Sequence, residues 1–171
     1  MNFKILIILL LAGTLAHSAP QADTIPPTSP RSAHKPAKPH TPTILYRNTK
    51  YGFTFALPRN WKGYSIDLST WEGGPREPDT TVERGTILII SPPPGTTEEP
   101  PQGIPIMVFS RAQWRGLQNS KFSVSAAPFD PEELGHNQRY VFAIGPRTLN
   151  PDVPGYEEAV EILKKHPLHA F

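Results

Sequence analysis

The 171-residue chain has no cysteine. That absence excludes disulfide staples, thiol nucleophiles and a lipid-bearing cysteine behind a leader, so a folded part must be held by its apolar core. Long apolar runs are also missing. The stretch at the amino end is broken by Gly13 and Thr14 and falls short of the ~20 residues a membrane-crossing helix needs, and residues 86–90 and 104–109 are strand-sized. No membrane span is expected once a leader is removed. The chain lacks G-x-x-x-x-G-K-[ST], G-x-G-x-x-G, G-x-S-x-G and H-E-x-x-H, so it carries no signature of a phosphate-cradling loop, a nucleophile elbow or a zinc protease helix. No cofactor and no metal are expected. Charge of one sign is scarce too. The formal net charge is +2, and residues 44–171 hold 13 basic and 14 acidic residues. A near-neutral domain gives no electrostatic reason to expect a nucleic-acid partner.

Proline, by contrast, is abundant, at 22 residues. Ahead of it, Lys4 followed by Ile5 to Ala12 and the small-x-small step Ala16-His17-Ser18 reads as a secretory signal over residues 1–18, cleaved after Ser18. The expected location is secreted or periplasmic. Residues 19–43 then contain seven prolines among Thr, Ser, Ala and Lys, with Ile25 the only large aliphatic residue. Such a segment buries too little apolar surface to offset its ordering entropy, and is expected to be a disordered, extended tether.

Residues 44–171 have the size of one domain. Tyr51, Phe53, Phe55 and Leu57 alternate with small or polar residues, which predicts a half-buried strand; Pro58-Arg-Asn60 supplies a turn and Tyr64–Leu68 a second strand, giving a first hairpin. Residues 72–85, rich in Gly, Pro and charge, read as a loop, as do residues 92–103. Between them, residues 86–91 are an aliphatic run of the kind covered on both faces, and after them residues 104–109 read as a further strand, with Pro105 tolerable near its start. Ser110 and Gln113 have the capping-box spacing, which predicts a short helix over 111–119 with Trp114 and Leu117 on one face. Phe122–Val124 and Tyr140–Ile144 read as strands. Asp130-Pro-Glu-Glu133 reads as a second helix start, ended by Gly135. Tyr156–Lys165 has early acids, late cations and an apolar stripe of Tyr156, Val160 and Leu163, with Pro167 as its stop. The sum is an α+β domain: five to seven strands in a mainly antiparallel sheet, with two or three packed helices.

The segment Tyr46-Arg-Asn-Thr-Lys-Tyr-Gly-Phe-Thr-Phe-Ala-Leu-Pro-Arg-Asn-Trp61 resembles the first hairpin of PsbP-like domains. Residues 104–109, 126–137 and 139–143 look like those of a family of small secreted bacterial proteins with no assigned activity. The resemblance implies a PsbP-like α/β/α sandwich, and an adaptor or binding role rather than a reaction. It supplies no catalytic motif to place on numbered positions.

Four constellations bear on chemistry or recognition. His136 with Asp130 and Ser123 or Ser125 has the residue types of a hydrolytic triad, against the plainer reading of a polar turn histidine. His166 and His169, with Glu161 a turn earlier, have metal-binding residue types, against a solvated pair on an unstructured carboxyl end. Glu98-Glu99, Glu132-Glu133 and Glu157-Glu158 are paired carboxylates, against solvated loop and helix-capping acids. Trp61 and Trp114 are expected in the core, while Trp71 is either an exposed recognition residue or packing at the core edge. The leading expectation is a non-catalytic module that binds a protein or cell-envelope component through loops 72–85 and 92–103, with Trp71, Glu72, Arg76 and Arg84 as its recognition surface. The alternative is a small hydrolase or carbohydrate-active enzyme using His136 and nearby acids.

Overall fold

The computed structural model describes residues 43–76, 81–95, 99–124 and 129–171. Residues 1–42, on which the expected signal with its cleavage at Ser18 and most of the expected tether fall, lie outside the described residues. In chain order the elements are β1 (Thr43–Asn48), β2 (Phe53–Pro58), a 3-10 turn (Arg59–Trp61), β3 (Ser65–Pro75), β4 (Glu83–Ser91), β5 (Ile104–Ser110), α1 (Arg111–Gln118), β6 (Phe122–Ser123), β7 (Glu132–His136), β8 (Tyr140–Ile144), α2 (Tyr156–Leu163) and β9 (Leu168–Ala170). Every strand pairing among them is antiparallel. The domain is α+β, mostly antiparallel sheet with two α-helices.

The strands form two sheets, β1-β2-β9 and β6-β3-β4-β5-β8-β7. The larger sheet is covered on both faces, which explains its near-continuous aliphatic strands. One face presents Leu88, Ile90, Ile104, Ile106, Val108 and Phe142 to a core completed by Phe53, Phe55 and Leu57 of β2, Trp61, Ala159 and Ile162 of α2, and Leu168 of β9. The other presents Trp71, Met107, Phe109, Val141 and Ala143 to Leu117 and Trp114 of α1 and to Phe122. Alternation along β4, β5 and β8 sends successive side chains to opposite cores. Each large side chain so buried contributes roughly 1.5–3 kcal/mol, against about 0–1 kcal/mol for an exposed ion pair. The two cores therefore hold this cysteine-free domain.

Five expectations are corrected. The first hairpin is β1 with β2, from Thr43↔Pro58 to Asn48↔Phe53, and β3 crosses to the other sheet to pair with β4. Nine strands are present among the described residues, more than the alternation alone suggested. The supposed loop 72–85 is largely strand: Trp71↔Gly85, Glu72↔Arg84 and Gly73↔Glu83 are paired positions, and its glycines make room for side chains. A Cβ on Gly73 would strike the Phe122 ring, and one on Gly85 the Trp71 indole. Asp130-Pro-Glu-Glu133 opens no helix, because Glu132–His136 pairs with β8 across a bulge between Glu133 and Gly135. Strand pairing here overrides a local capping signal. Finally, the carboxyl end is not loose: β9 pairs Phe53↔Ala170, Thr54↔His169 and Phe55↔Leu168.

The capping box of α1 is present as read, with Gln113 N–H donating to Ser110 Oγ at 3.1 Å and Ser110 N–H to Gln113 Oε1 at 2.9 Å. Asn137 locks the carboxyl strand in place. Its Nδ2 donates to the carbonyls of Tyr51 (2.9 Å), Gly52 (3.0 Å) and Phe171 (3.3 Å), while its Oδ1 accepts from Arg139 and Tyr140 N–H at 2.9 Å each.

Candidate ligand cavity

The site with the most ligand-like composition lies between α2 and the β7–β8 end of the large sheet. Three segments build it. After β8, Gly145-Pro146-Arg147-Thr148 makes a tight turn: Thr148 Oγ1 donates to the Gly145 carbonyl at 2.9 Å and Thr148 N–H reaches the same oxygen at 3.4 Å. Pro146 sits where such a turn favours proline, and Arg147, at φ 56°, occupies the position that usually takes glycine or asparagine. The following loop is pinned to residue 102, with Asn150 N–H donating to Gln102 Oε1 at 3.0 Å and Gln102 N–H to the Pro154 carbonyl at 2.6 Å.

Helix α2 then runs along the cavity. Ala159 and Ile162 are its buried residues; of the predicted stripe, Leu163 packs against the core, and Tyr156, Val160 and Leu163 are all half-buried and line the cavity. At its end Lys165 N–H donates to the Ile162 carbonyl at 3.1 Å and His166 N–H to that of Leu163 at 3.0 Å, with His166 in the left-handed region at φ 49° ahead of buried Pro167.

The resulting cavity has a volume of about 570 Å³, within the range of small-molecule sites. Its apolar lining residues Leu134, Ile144, Leu149, Val160 and Leu163 are half-buried and form the floor, whereas the charged or chargeable ones, Glu132, Glu133, Arg147, Lys164 and His166, are exposed and form the rim. Two of these are already matched: Glu133 Oε1 meets His136 Nδ1 at 2.5 Å, and Lys164 Nζ meets Glu161 Oε1 at 2.6 Å. The second contact, through its hydrogen bond and its charge attraction, lowers the Glu161 carboxyl below its ordinary value and raises the Lys164 ammonium. Arg147, His166 and Glu132 have no side-chain hydrogen bond or ion pair among the described residues.

The residues singled out in the sequence fall elsewhere. Trp71 is 4% exposed, with its N–H bonded to the Val108 carbonyl at 3.1 Å, so of its two readings the structure has core packing and removes it from the surface. Glu72 and Arg84 are exposed and form a 2.7 Å cross-strand ion pair. Arg76 follows β3 with its backbone N–H on the Lys121 carbonyl at 3.0 Å. These three share one end of the β3–β4 ribbon, without the tryptophan.

His136 has an acid partner, but it is Glu133 and not Asp130. Ser123 lies on β6 and His136 on β7, the opposite edges of the six-stranded sheet; Ser125 is outside the described residues. Two grooves reach His136. One, of about 430 Å³, is lined by Arg111, Trp114, Arg115, Glu133 and Gln138, none of which carries a hydroxyl or thiol; the other, of about 620 Å³, includes Thr49, Tyr51 and Tyr140, with the Tyr51 hydroxyl donating to Thr86 Oγ1 at 2.9 Å. His169 is held in β9, and no group of three metal-ligating side chains occurs among the described residues. Glu161 faces Lys164 rather than a histidine. Glu98 lies outside the described residues. Among those residues no helix is long and apolar enough to cross a membrane.

Sequence reasoning missed the cavity because its walls come from residues 132–134, 144–151 and 156–167. The one local signal was the turn Gly145-Pro-Arg147, where a charged residue replaces the glycine or asparagine that the backbone favours. Comparison with known proteins finds no matching family model, curated protein or solved structure.

Proposed function

We propose that this protein is an exported, non-catalytic binding module whose ligand, a cell-envelope component or the exposed part of a protein, seats in the cavity between α2 and the β7–β8 end of the sheet. The observation that carries the reading is the distribution of polarity there: an apolar floor with charge only at the rim, the composition of a site that binds by desolvation and orients by a few polar contacts. The resemblance of residues 46–61 to PsbP-like domains supports the same role. The leader-like start and the proline-rich segment behind it fit export and reach. The face expected to make contact, loops 72–85 and 92–103, gives way in this reading to the cavity, since the tryptophan that would have anchored it is buried.

Thermal unfolding of the full chain against envelope lipids, glycans, wall fragments and peptides tests this. A ligand that binds only the folded state at a hundred times its dissociation constant stabilises it by about 2.7 kcal/mol. Val160→Trp, placed in the cavity wall, should abolish the shift. Turnover of an ester or glycoside that disappears with His136→Ala would replace this reading with the hydrolase one.

A further inference from the structure

Three non-glycine residues among those described have positive φ: Ser120, Arg147 and His166. Two of the three line the same cavity. The backbone reasons for the conformation are separate and local. Arg147 is the third residue of a Pro-containing turn, and His166 follows the last turn of α2 just before Pro167. Glycine or asparagine satisfies either position with less steric conflict, as the left-handed region crowds a Cβ against the backbone. Neither turn uses the side chain it carries, since neither side chain has a hydrogen bond or ion pair among the described residues. Two independent turns therefore each hold a cation-forming side chain in an unfavourable backbone conformation, and both place it on one rim.

We infer that this rim recognises the anionic head of an amphipathic ligand, whose apolar tail lies on Leu134, Leu149, Val160 and Leu163. The inference rests on the binding role proposed above and names its ligand class: a carboxylate or phosphate head on an aliphatic tail. The rest of the rim is consistent with this. Lys164 is offset by Glu161, and Glu133 is engaged by His136 in a contact that is an ion pair only when the imidazole is protonated, leaving Arg147 and His166 as the unengaged basic side chains of the rim beside Glu132. A planar guanidinium suits either oxyanion by a bidentate contact. Strain kept at a site of recognition is the usual setting in which unfavourable backbone conformations persist.

The test is titration of the full chain with decanoate, decyl phosphate and decanol, which share a tail and differ in the head. The wild-type chain should bind at least one of the two anions tenfold or more tightly than decanol, equivalent to about 1.4 kcal/mol; which anion binds tighter identifies the head. The double variant Arg147→Gly with His166→Gly should lose that discrimination and keep its decanol affinity within about twofold of wild type, about 0.4 kcal/mol. Its melting temperature should not fall, because glycine relieves both backbone positions. Glu132→Gln should tighten anion binding. Equal wild-type affinities for decanol and the anions, or discrimination surviving in the double variant, would overturn the anionic head while leaving the cavity a binding site. Failure of all three amphiphiles to bind would overturn the amphipathic ligand class, and the screen of glycans, wall fragments and peptides then decides the binding role itself.

Discussion

The indole of Trp71 lies over Gly85, its antiparallel partner on β4, and passes its N–H across the next strand to the carbonyl of Val108. Phe109 and Phe122 close the same cluster, with ring centroids 4.5 Å and 6.1 Å from Trp71 and the Phe122 ring parallel to the indole. A glycine in mid-strand weakens a sheet by itself; here the aromatic ring covers the space that a side chain would fill.

Gly85→Ala should consequently destabilise the domain by about 1–3 kcal/mol, since the added methyl overlaps a ring packed on its far side. Trp71→Phe should cost about 1–3 kcal/mol, because it strips the buried Val108 carbonyl of this partner and leaves a void. In the double variant the smaller ring leaves room for the methyl, so the two losses should sum to more than the measured one. Denaturant unfolding of the four proteins in a cycle reads this coupling, and strict additivity would separate the glycine from the indole.

Asn137 contacts three carbonyls from two ends of the domain, at Tyr51, Gly52 and Phe171. Asn137→Ala should cost about 1–3 kcal/mol through the loss of a part-buried bonding group, and Asn137→Asp more, because a carboxylate would face those carbonyl oxygens. The damage should be local first. Amide exchange at residues 168–171 is expected to accelerate well beyond that in β4 and β5, and uniform acceleration would contradict the clamp.

Gln113 does more than cap α1. Its Nε2 also donates to Glu83 Oε2 and to the Arg84 carbonyl, each at 3.0 Å, tying the helix start to β4. Ser110→Ala should lose about 0.5–2 kcal/mol, the usual cost of an N-cap. Gln113→Ala should lose more than Ser110→Ala, as it removes the reciprocal bond and the tie together. Equal losses, measured by chemical denaturation, would confine Gln113 to the cap.

Sequence and structure agree where the signal is local. Ser110 and Gln113 announce α1 because a capping box lies within four residues, and Tyr140–Ile144 and Ile104–Phe109 announce buried strands because strands covered on both faces read as apolar runs. They part where the deciding partner is distant. Gly73 and Gly85 read as loop residues, yet each is small because an aromatic ring arrives from Phe122 or Trp71. Asp130 and Pro131 read as a helix start, yet β8 claims the residues that follow. The cavity was hidden for the same reason: in sequence His166 stands beside His169, whereas in the fold it lines one cavity with Arg147 and the flank of α2.

Strand β2 is shared by β1 on one side and β9 on the other, and its pairing with β9 joins Thr54 to His169 across 115 positions of chain. A ribosome adding about 5–20 residues per second needs roughly 6–23 s to cover that span. Throughout that interval Phe53, Phe55 and Leu57 await half of their sheet and most of their core. Completion of the β1-β2-β9 sheet, and of the core it closes, is therefore deferred to the end of the chain's own synthesis, whereas every strand of the six-stranded sheet is made before β9.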